Sequence, residues 1–313
     1  MSEYKISLAR NYKENTPLAG AELNKFIEDF KATADNESMR QAFAASLSIP
    51  VLKTIPPQTS VRDIFMVDEL PAGSLAEYPV DLNDLETATV MPRLGAVPQN
   101  LVVGDSILVP TFEISNSVEW KLTFVRDGRY NIVERALEKL AESFVRAEEA
   151  AGWATIRGAV NASNTLVTNE TALTRDLFNQ LVTEMKQVHG YLPTVVYVSP
   201  RRASDIRAWT TTSIDYITQR EIFQAGGIGS VFNIEIRELR TLNDNEVFLF
   251  DTTRLGVMPI RQRMTTWDDP TAIRRLRAGI IAFEEVGFAV IDPKALLYVN
   301  LSGAPYALLN NQP

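Results

Sequence analysis

The residues able to do chemistry are few. The chain has one histidine, His189, and no cysteine, which excludes disulfides, thiolate metal sites and cysteine nucleophiles together. His189 stands beside Gly190 at the end of a helical pattern, where imidazole commonly meets the helix dipole or solvent. A Ser-His-Asp site would have to use it, and no G-x-S-x-G elbow is present. One histidine leaves only carboxylates as metal ligands. Three acidic pairs, Glu148-Glu149, Asp268-Asp269 and Glu284-Glu285, raise the question of paired-carboxylate catalysis. Neighbours on a strand point to opposite faces and neighbours on a helix diverge, so adjacency alone makes no dyad. The glycine run from Ala225 to Ser230, AGGIGS, precedes a strand instead of joining strand to helix, and it has no lysine. It reads as a flexible loop, not a phosphate cradle. The expectation is a protein with no catalytic residue, cofactor or metal, and the informative features are the long elements that shape its surface.

The longest runs from Gly128 to Ala159. Val133, Leu137, Leu140, Phe144, Ala147, Ala151 and Ala154 alternate at spacings of four and three, which keeps one stripe facing one way along a helix. No proline interrupts it, Glu142 and Arg146 make a favourable i, i+4 pair, and Asp127 is the candidate N-cap. Roughly 32 residues give a rod of about 48 Å, against a usual helix of about 11 residues. The spacing also suits half of a coiled coil, whereas the alanines late in the seam favour close packing against a sheet or loop.

Before this spine, residues 1 to about 56 read as an arm. Leu23, Phe26, Ile27 and Phe30 form one helical face and Met39, Phe43 and Leu47 another, ending at Pro50, Pro56 and Pro57. Both faces need a surface, in the same chain or in a neighbour. From Ser60 to Arg126 the chain is strand-like, with a long proline-punctuated middle from Ala72 to Gln99. On the return, Phe112, Ile114, Val118, Trp120, Leu122 and Phe124 alternate with polar residues. About 14 residues at 3.3 Å make a ribbon of roughly 46 Å, too long to be stable without support.

After the spine and a polar turn, a mixed α/β region follows. A helix starts near Thr174, carries Leu177, Leu181, Val182, Met185 and Val188, and stops at Gly190. The strand TVVYV leads to Ser199 as N-cap and Pro200 at the first helical position. Strands are expected at Phe232 to Arg237, Val247 to Phe250, Leu255 to Thr265 and Ala278 to Val290, and a tail starts at Pro293.

Composition is that of an ordinary globular chain of 313 residues, 45% hydrophobic and 22% charged. Its 31 basic and 39 acidic residues give −8, so wholesale electrostatic capture of nucleic acid is not expected. No apolar segment reads as a signal peptide, and the most apolar late run is split by Glu284 and Glu285, so no membrane partner is expected. The sequons at Asn36, Asn161, Asn169 and Asn300 therefore give no reason to expect glycosylation. Charge is unevenly placed. Residues 54 to 120 hold ten acids and only Arg62 and Arg93 as bases, whereas residues 254 to 277 hold six arginines against Asp268 and Asp269. Either these are two solvated faces, or the acidic loop of one copy docks on the arginines of the next. On the second reading the candidate inter-subunit contacts are Glu77, Asp81, Asp84 and Glu86 on one side and Arg254, Arg261, Arg263, Arg274 and Arg275 on the other.

The order of these elements resembles the major capsid proteins of tailed double-stranded DNA phages, the Hong Kong 97 fold. TSVRDIF leads into SLAEYPVDL and returns along ILVPTFEISNSVEWKLTFV directly before the spine. PTVVYVSPRRASDI, GSVFNIEIREL, NEVFLFDTTRLGVM and RLRAGIIAFEEVGFAVIDPKAL follow in the family's order. The resemblance implies an α+β capsid fold divided into an N-arm (1–57), a P-domain strand and extended E-loop (58–126), a P-domain spine helix (127–168), an A-domain (169–254), P-domain return strands (255–300) and a C-terminal tail (301–313). It implies a structural protein, not an enzyme, forming hexamers and pentamers of an icosahedral head. Double-stranded DNA would be enclosed without a sequence-specific site, and scaffolding, portal and decoration proteins would be the further partners. The virion is the implied location, after assembly in host cytoplasm. Within the fold, an encapsulin-like nanocompartment shell is the alternative, and a carboxylate-dependent soluble hydrolase is the alternative of another class. Fewer than about 60 residues precede the loop strands, so no maturation cleavage of a large assembly domain is expected. No lysine lies between Lys53 and Lys121, so the lysine–asparagine crosslink of some relatives is not expected in the loop, and locking should be noncovalent.

Overall fold

Two sheets share one long helix. The computed structural model describes residues 8, 10–11, 16–18, 20–34, 36–47, 60–71, 73–81, 104–209 and 230–301. Most of the extended loop, including Asp84 and Glu86, and the glycines of the AGGIGS run lie outside these residues.

Strands β1 (Arg10–Asn11) and β2 (Thr16–Pro17) pair antiparallel ahead of helices α1 (Ala21–Ala32) and α2 (Glu37–Ser46). The Asn36 side chain accepts from Ser38 N and caps α2. The two apolar faces meet each other and the same chain. Phe30 lies edge-on to Phe43 at 5.5 Å, Phe26 edge-on to Tyr130 at 5.7 Å, and Thr266 Oγ1 donates to Ala44 O at 2.6 Å.

The strand expected from Ser60 begins instead as a four-residue helix, α3 (Val61–Ile64). The Glu149 carboxylate accepts from the backbone N–H groups of Ser60 and Val61, so an acid distant in sequence caps a helix that local propensity does not announce. β3 (Met66–Glu69) follows, then the two-stranded ribbon β4 (Glu77–Asp81) and β5 (Gly104–Leu108).

β6 (Thr111–Lys121) is shorter than its alternation predicts, because Leu122 and Phe124 sit in a helical turn, α4 (Leu122–Arg126). Both still pack on the core beneath β6. Asp127 closes α4 and does not cap the spine, and Gly128 turns the chain at φ +68°.

The spine α5 (Tyr130–Gly158) has 29 residues, about 44 Å. Its buried stripe follows Val133, Leu137, Leu140 and Phe144 as expected, then continues to Glu148, Gly152 and Ile156. Ala147 and Ala151 are half-buried and Ala154 is exposed. Each step of four overshoots a turn by about 40°, so the stripe winds round the helix. Its first half therefore faces one sheet and its second half another, and among the described residues no coiled-coil seam forms.

The first sheet orders β14 (Ala289–Val290), β12 (Gly256–Asp268), β13 (Arg277–Gly287) and β6, with β3 parallel to β12. β6 pairs with β13 without a break from Thr111 opposite Gly287 to Lys121 opposite Arg277. This sheet, the arm helices and the first half of the spine enclose one core around Leu137, Phe144, Trp120 and Ile280.

The second sheet orders β7 (Thr165–Val167), β15 (Leu296–Asn300), β11 (Glu246–Phe250), β8 (Val195–Val198), β10 (Ile234–Glu238) and β9 (Ser230–Val231). One face packs on α6 (Arg175–Glu184), capped by Thr174, and α7 (Pro200–Arg207), capped by Ser199 as expected. A π turn, Met185–His189, extends α6 and ends at Gly190 with φ +76°. The other face meets the second half of the spine, where Trp153 lies edge-on to Phe248 at 5.3 Å and Tyr197 at 5.6 Å.

Two expectations are corrected here. The strand predicted from Phe232 starts at Ile234, because Phe232 and Asn233 form a turn at φ 54° and 66°. The segment from Pro293 is no tail, since β15 lies wholly buried between β7 and β11.

α3 touches the spine at Gly152, where an added Cβ would overlap the Val61 side chain, whereas Gly158 has open space. Gly152→Leu should lower stability by about 1–3 kcal/mol through overpacking, and Gly158→Ala should raise it by up to about 1 kcal/mol through helix propensity. Thermal denaturation of the two variants checks this, and shifts of the same sign would contradict it.

Candidate functional site

The acidic pairs do meet, but not within a pair. Glu148 on α5 and Glu149 diverge as helix geometry requires, and Glu148 instead faces Glu284 of β13. Both are buried, at 0% and 1% exposure. The Arg62 guanidinium from α3 grips Glu148 with two hydrogen bonds, Nε to Oε2 at 2.8 Å and Nη2 to Oε1 at 2.6 Å, and stands 3.8 Å from Glu284. Burial first, then the charge of Glu148 and a hydrogen bond to it, push the Glu284 carboxyl up to about 9 against the pull of Arg62.

Glu149 turns the other way. It accepts from Ser60 Oγ at 2.7 Å and Trp153 Nε1 at 3.0 Å as well as from the α3 backbone. Burial still raises its pKa above the usual carboxylate range, outweighing those donors. The junction was missed in sequence because its members are distant. The available signal was Glu148 at i+4 from Phe144, on the line of the buried stripe, with Arg62 the nearest base in an acidic stretch.

The third pair is separate. Asp268 lies 3.6 Å from Arg40 and ties α2 to the sheet, while Asp269 accepts from Thr271 N at 2.9 Å and Thr271 Oγ1 at 2.7 Å. His189 lies half-exposed in the π turn. Among the described residues no group of three or more His, Asp or Glu side chains is placed to hold a metal ion.

The candidate contact residues are distributed as follows. Glu77 accepts from Ser106 Oγ across the ribbon, Asp81 ends β4 opposite Gly104, and Asp84 and Glu86 lie outside the described residues. Arg261 pairs with Glu285 at 3.0 Å and Arg263 with Glu69. Arg275 lies 3.7 Å from Glu119, which also accepts from Arg277 at 2.8 Å. Arg254 stacks on the Tyr191 ring at 5.6 Å. Arg274 is exposed and forms no ion pair with a described residue. Within one chain, then, Arg261, Arg263 and Arg275 meet acids of the sheet and its flanks.

Among the described residues with exposed large apolar side chains, two groups stand at the ends of long elements. Met66, Leu75, Leu108 and Phe112 surround the root of the ribbon, and Trp267 and Leu276, at 64% and 76% exposure, mark the end of the β12–β13 hairpin. Leu276 is also held at φ 55°. Exposed apolar clusters of this kind mark contact surfaces.

Buried and exposed ion pairs should separate in energy. Arg62→Met strands Glu148 in the core and should cost about 3–5 kcal/mol, whereas Arg263→Met at the exposed Glu69 pair should cost less than about 1 kcal/mol. Denaturant titration of both variants measures the difference, and equal losses would contradict it.

Comparison with known proteins adds the following. The family model described as phage capsid protein matches residues 113–299. No match is found among curated protein sequences. Among solved structures, the capsid of a native GTA particle is similar at 16% identity and a TM-score of 0.62, over 78% of this chain and 90% of that one. Microbacterium phage Oxtober96 is similar at 12% and 0.59, over 77% and 90%. A virus-like particle from Pyrococcus furiosus is similar at 14% and 0.52, over 82% and 97%.

Proposed function

Because this chain belongs to the phage capsid protein family and is a structural capsid protein with a Hong Kong 97-like α+β fold, we propose that its copies form the hexamers and pentamers of an icosahedral phage head. The observation that carries this reading is the family match from β6 through the spine and both sheets to β15. The head encloses double-stranded DNA by closure, without a sequence-specific site. A net charge of −8 favours containment over capture.

The roles divide along the chain. Residues 1–57 act as an N-arm and 58–126 as P-domain strand and E-loop. The spine region 127–168 and the return strands 255–300 complete the P-domain, residues 169–254 form the A-domain, and 301–313 a tail. The loop reaches a neighbour, supported by the exposed apolar root of the ribbon and by the instability of two strands in isolation. Its acids Glu77, Asp81, Asp84 and Glu86 steer that contact, with Arg254 and Arg274 their strongest counterparts because neither is paired to an acid in its own chain among the described residues. Many modest contacts let subunits assemble reversibly before they lock. The mature protein resides in the virion, is assembled in host cytoplasm with scaffolding, portal and decoration proteins, and has no enzymatic activity.

The likeness to a virus-like particle supports assembly into a shell outside a phage head, and the second reading is a nanocompartment shell that holds protein cargo. A carboxylate hydrolase finds no support in Glu148 and Glu284, which are buried at a packing junction.

Negative-stain microscopy and light scattering of the protein expressed alone should show shells, tubes or hexamers. A monomer persisting at high concentration and under crowding would overturn the reading. Purified heads should contain DNA, not cargo protein, and should run as a single monomer band on denaturing electrophoresis; a ladder of bands would contradict noncovalent locking.

A further inference from the structure

We propose that Glu148 and Glu284 hold one proton between them, and that this proton fastens β13 to the spine beside the Arg62 anchor of α3. The inference follows from counting charges and donors in a closed space. One guanidinium faces two carboxyl groups, both almost fully buried. Arg62 spends its two short hydrogen bonds on the two oxygens of Glu148. At 3.8 Å it is beyond hydrogen-bond reach of Glu284, whose Oε1 receives no donor. Fully ionised, the cluster would carry one uncompensated negative charge in the core, which is strongly unfavourable. With one proton it is neutral, and the two carboxyl groups are joined by a hydrogen bond of the acid–carboxylate kind.

Among the described residues no other cation relieves the pair. On α3, Asp63 faces Arg237. On β3, Glu69 pairs with Arg263. On the spine, Glu149 is turned to Ser60 and Trp153. On β13, Glu285 pairs with Arg261 of β12. Arg62 is the one base the two carboxyl groups share among the described residues.

The raised carboxyl gives the sign. Its proton is retained in the folded chain well above the unfolded carboxylate value of about 4.3. The stabilisation it provides is complete below that value and is lost as pH rises through the folded value near 9. In between, unfolding releases one proton, so the unfolding constant climbs about tenfold per pH unit from this source. Loss of the proton sets two like charges against each other between the spine and β13 and loosens that junction.

The test is denaturant unfolding of the full chain at several pH values from about 6 to 9, for wild type, Glu284→Gln and Glu285→Gln. Glu284→Gln keeps the shape and the neutral state, so its unfolding constant should lack the tenfold-per-unit rise, while Glu285→Gln should retain it. Hydrogen exchange in β13 from Ile281 to Val286, corrected for intrinsic rates, should accelerate with pH in wild type and stay level in Glu284→Gln. Should Glu284→Gln fail to fold, Glu148→Gln removes the other carboxyl and should abolish the same rise. Parallel pH profiles for wild type and either glutamine variant would overturn the proposal.

Discussion

A helix of 29 residues is stable only if its apolar stripe is covered along its whole length, and that requirement organises this chain. Because the stripe steps by four from Phe144 to Glu148, Gly152 and Ile156, it turns as it goes. No single sheet can cover it. The sheet of β6, β12 and β13 with the arm helices takes the first half, and the six-stranded sheet takes the second. The change of partner occurs where side-chain bulk on the helix falls to Gly152, and α3 enters there. The ribbon begins just beyond α3 and β3 and ends just before β6, so the spine fixes where it leaves the body of the protein.

Energetically the chain separates into a firm body and modest outer contacts. Aromatic packing of Trp153 against Phe248 and Tyr197 and the grip of Arg62 on Glu148 are internal. The ion pairs of Arg263, Arg275 and Arg277 are outward and solvated, each worth little alone. A capsid subunit needs this division, since each tile must keep its shape while its contacts with other tiles are made and corrected. Exposed Leu75, Trp267 and Leu276 lie on the outer parts, away from the cores they would otherwise join.

Local rules carried far into the fold. The spacing from Val133 to Phe144, the caps at Thr174 and Ser199, Pro200 at the head of α7 and the left-handed Gly190 all follow from side-chain chemistry within a few residues. What local rules missed depends on distant partners. α3 exists because Glu149 supplies its cap from 88 residues away. β15 is a central strand because β7 and β11 flank it, although a proline and a short helical turn precede it. The charge count between residues 54 and 120 correctly marked an acidic segment, but which arginines were already neutralised depended on the pairing of β3, β6, β12 and β13. The meeting of Glu148 with Glu284 was hidden for the same reason, because strand register, not adjacency, brings them together.

The central claim is that this body is a tile whose ribbon is completed by another copy, and a cryo-electron microscopy reconstruction of the assembled particle tests it most directly. The account predicts a spine from Tyr130 to Gly158 packed on both sheets of its own subunit, with the ribbon of Glu77–Asp81 and Gly104–Leu108 lying across the neighbouring one. A particle in which every ribbon folds back onto its own subunit, with no density between ribbon and neighbour, would contradict it.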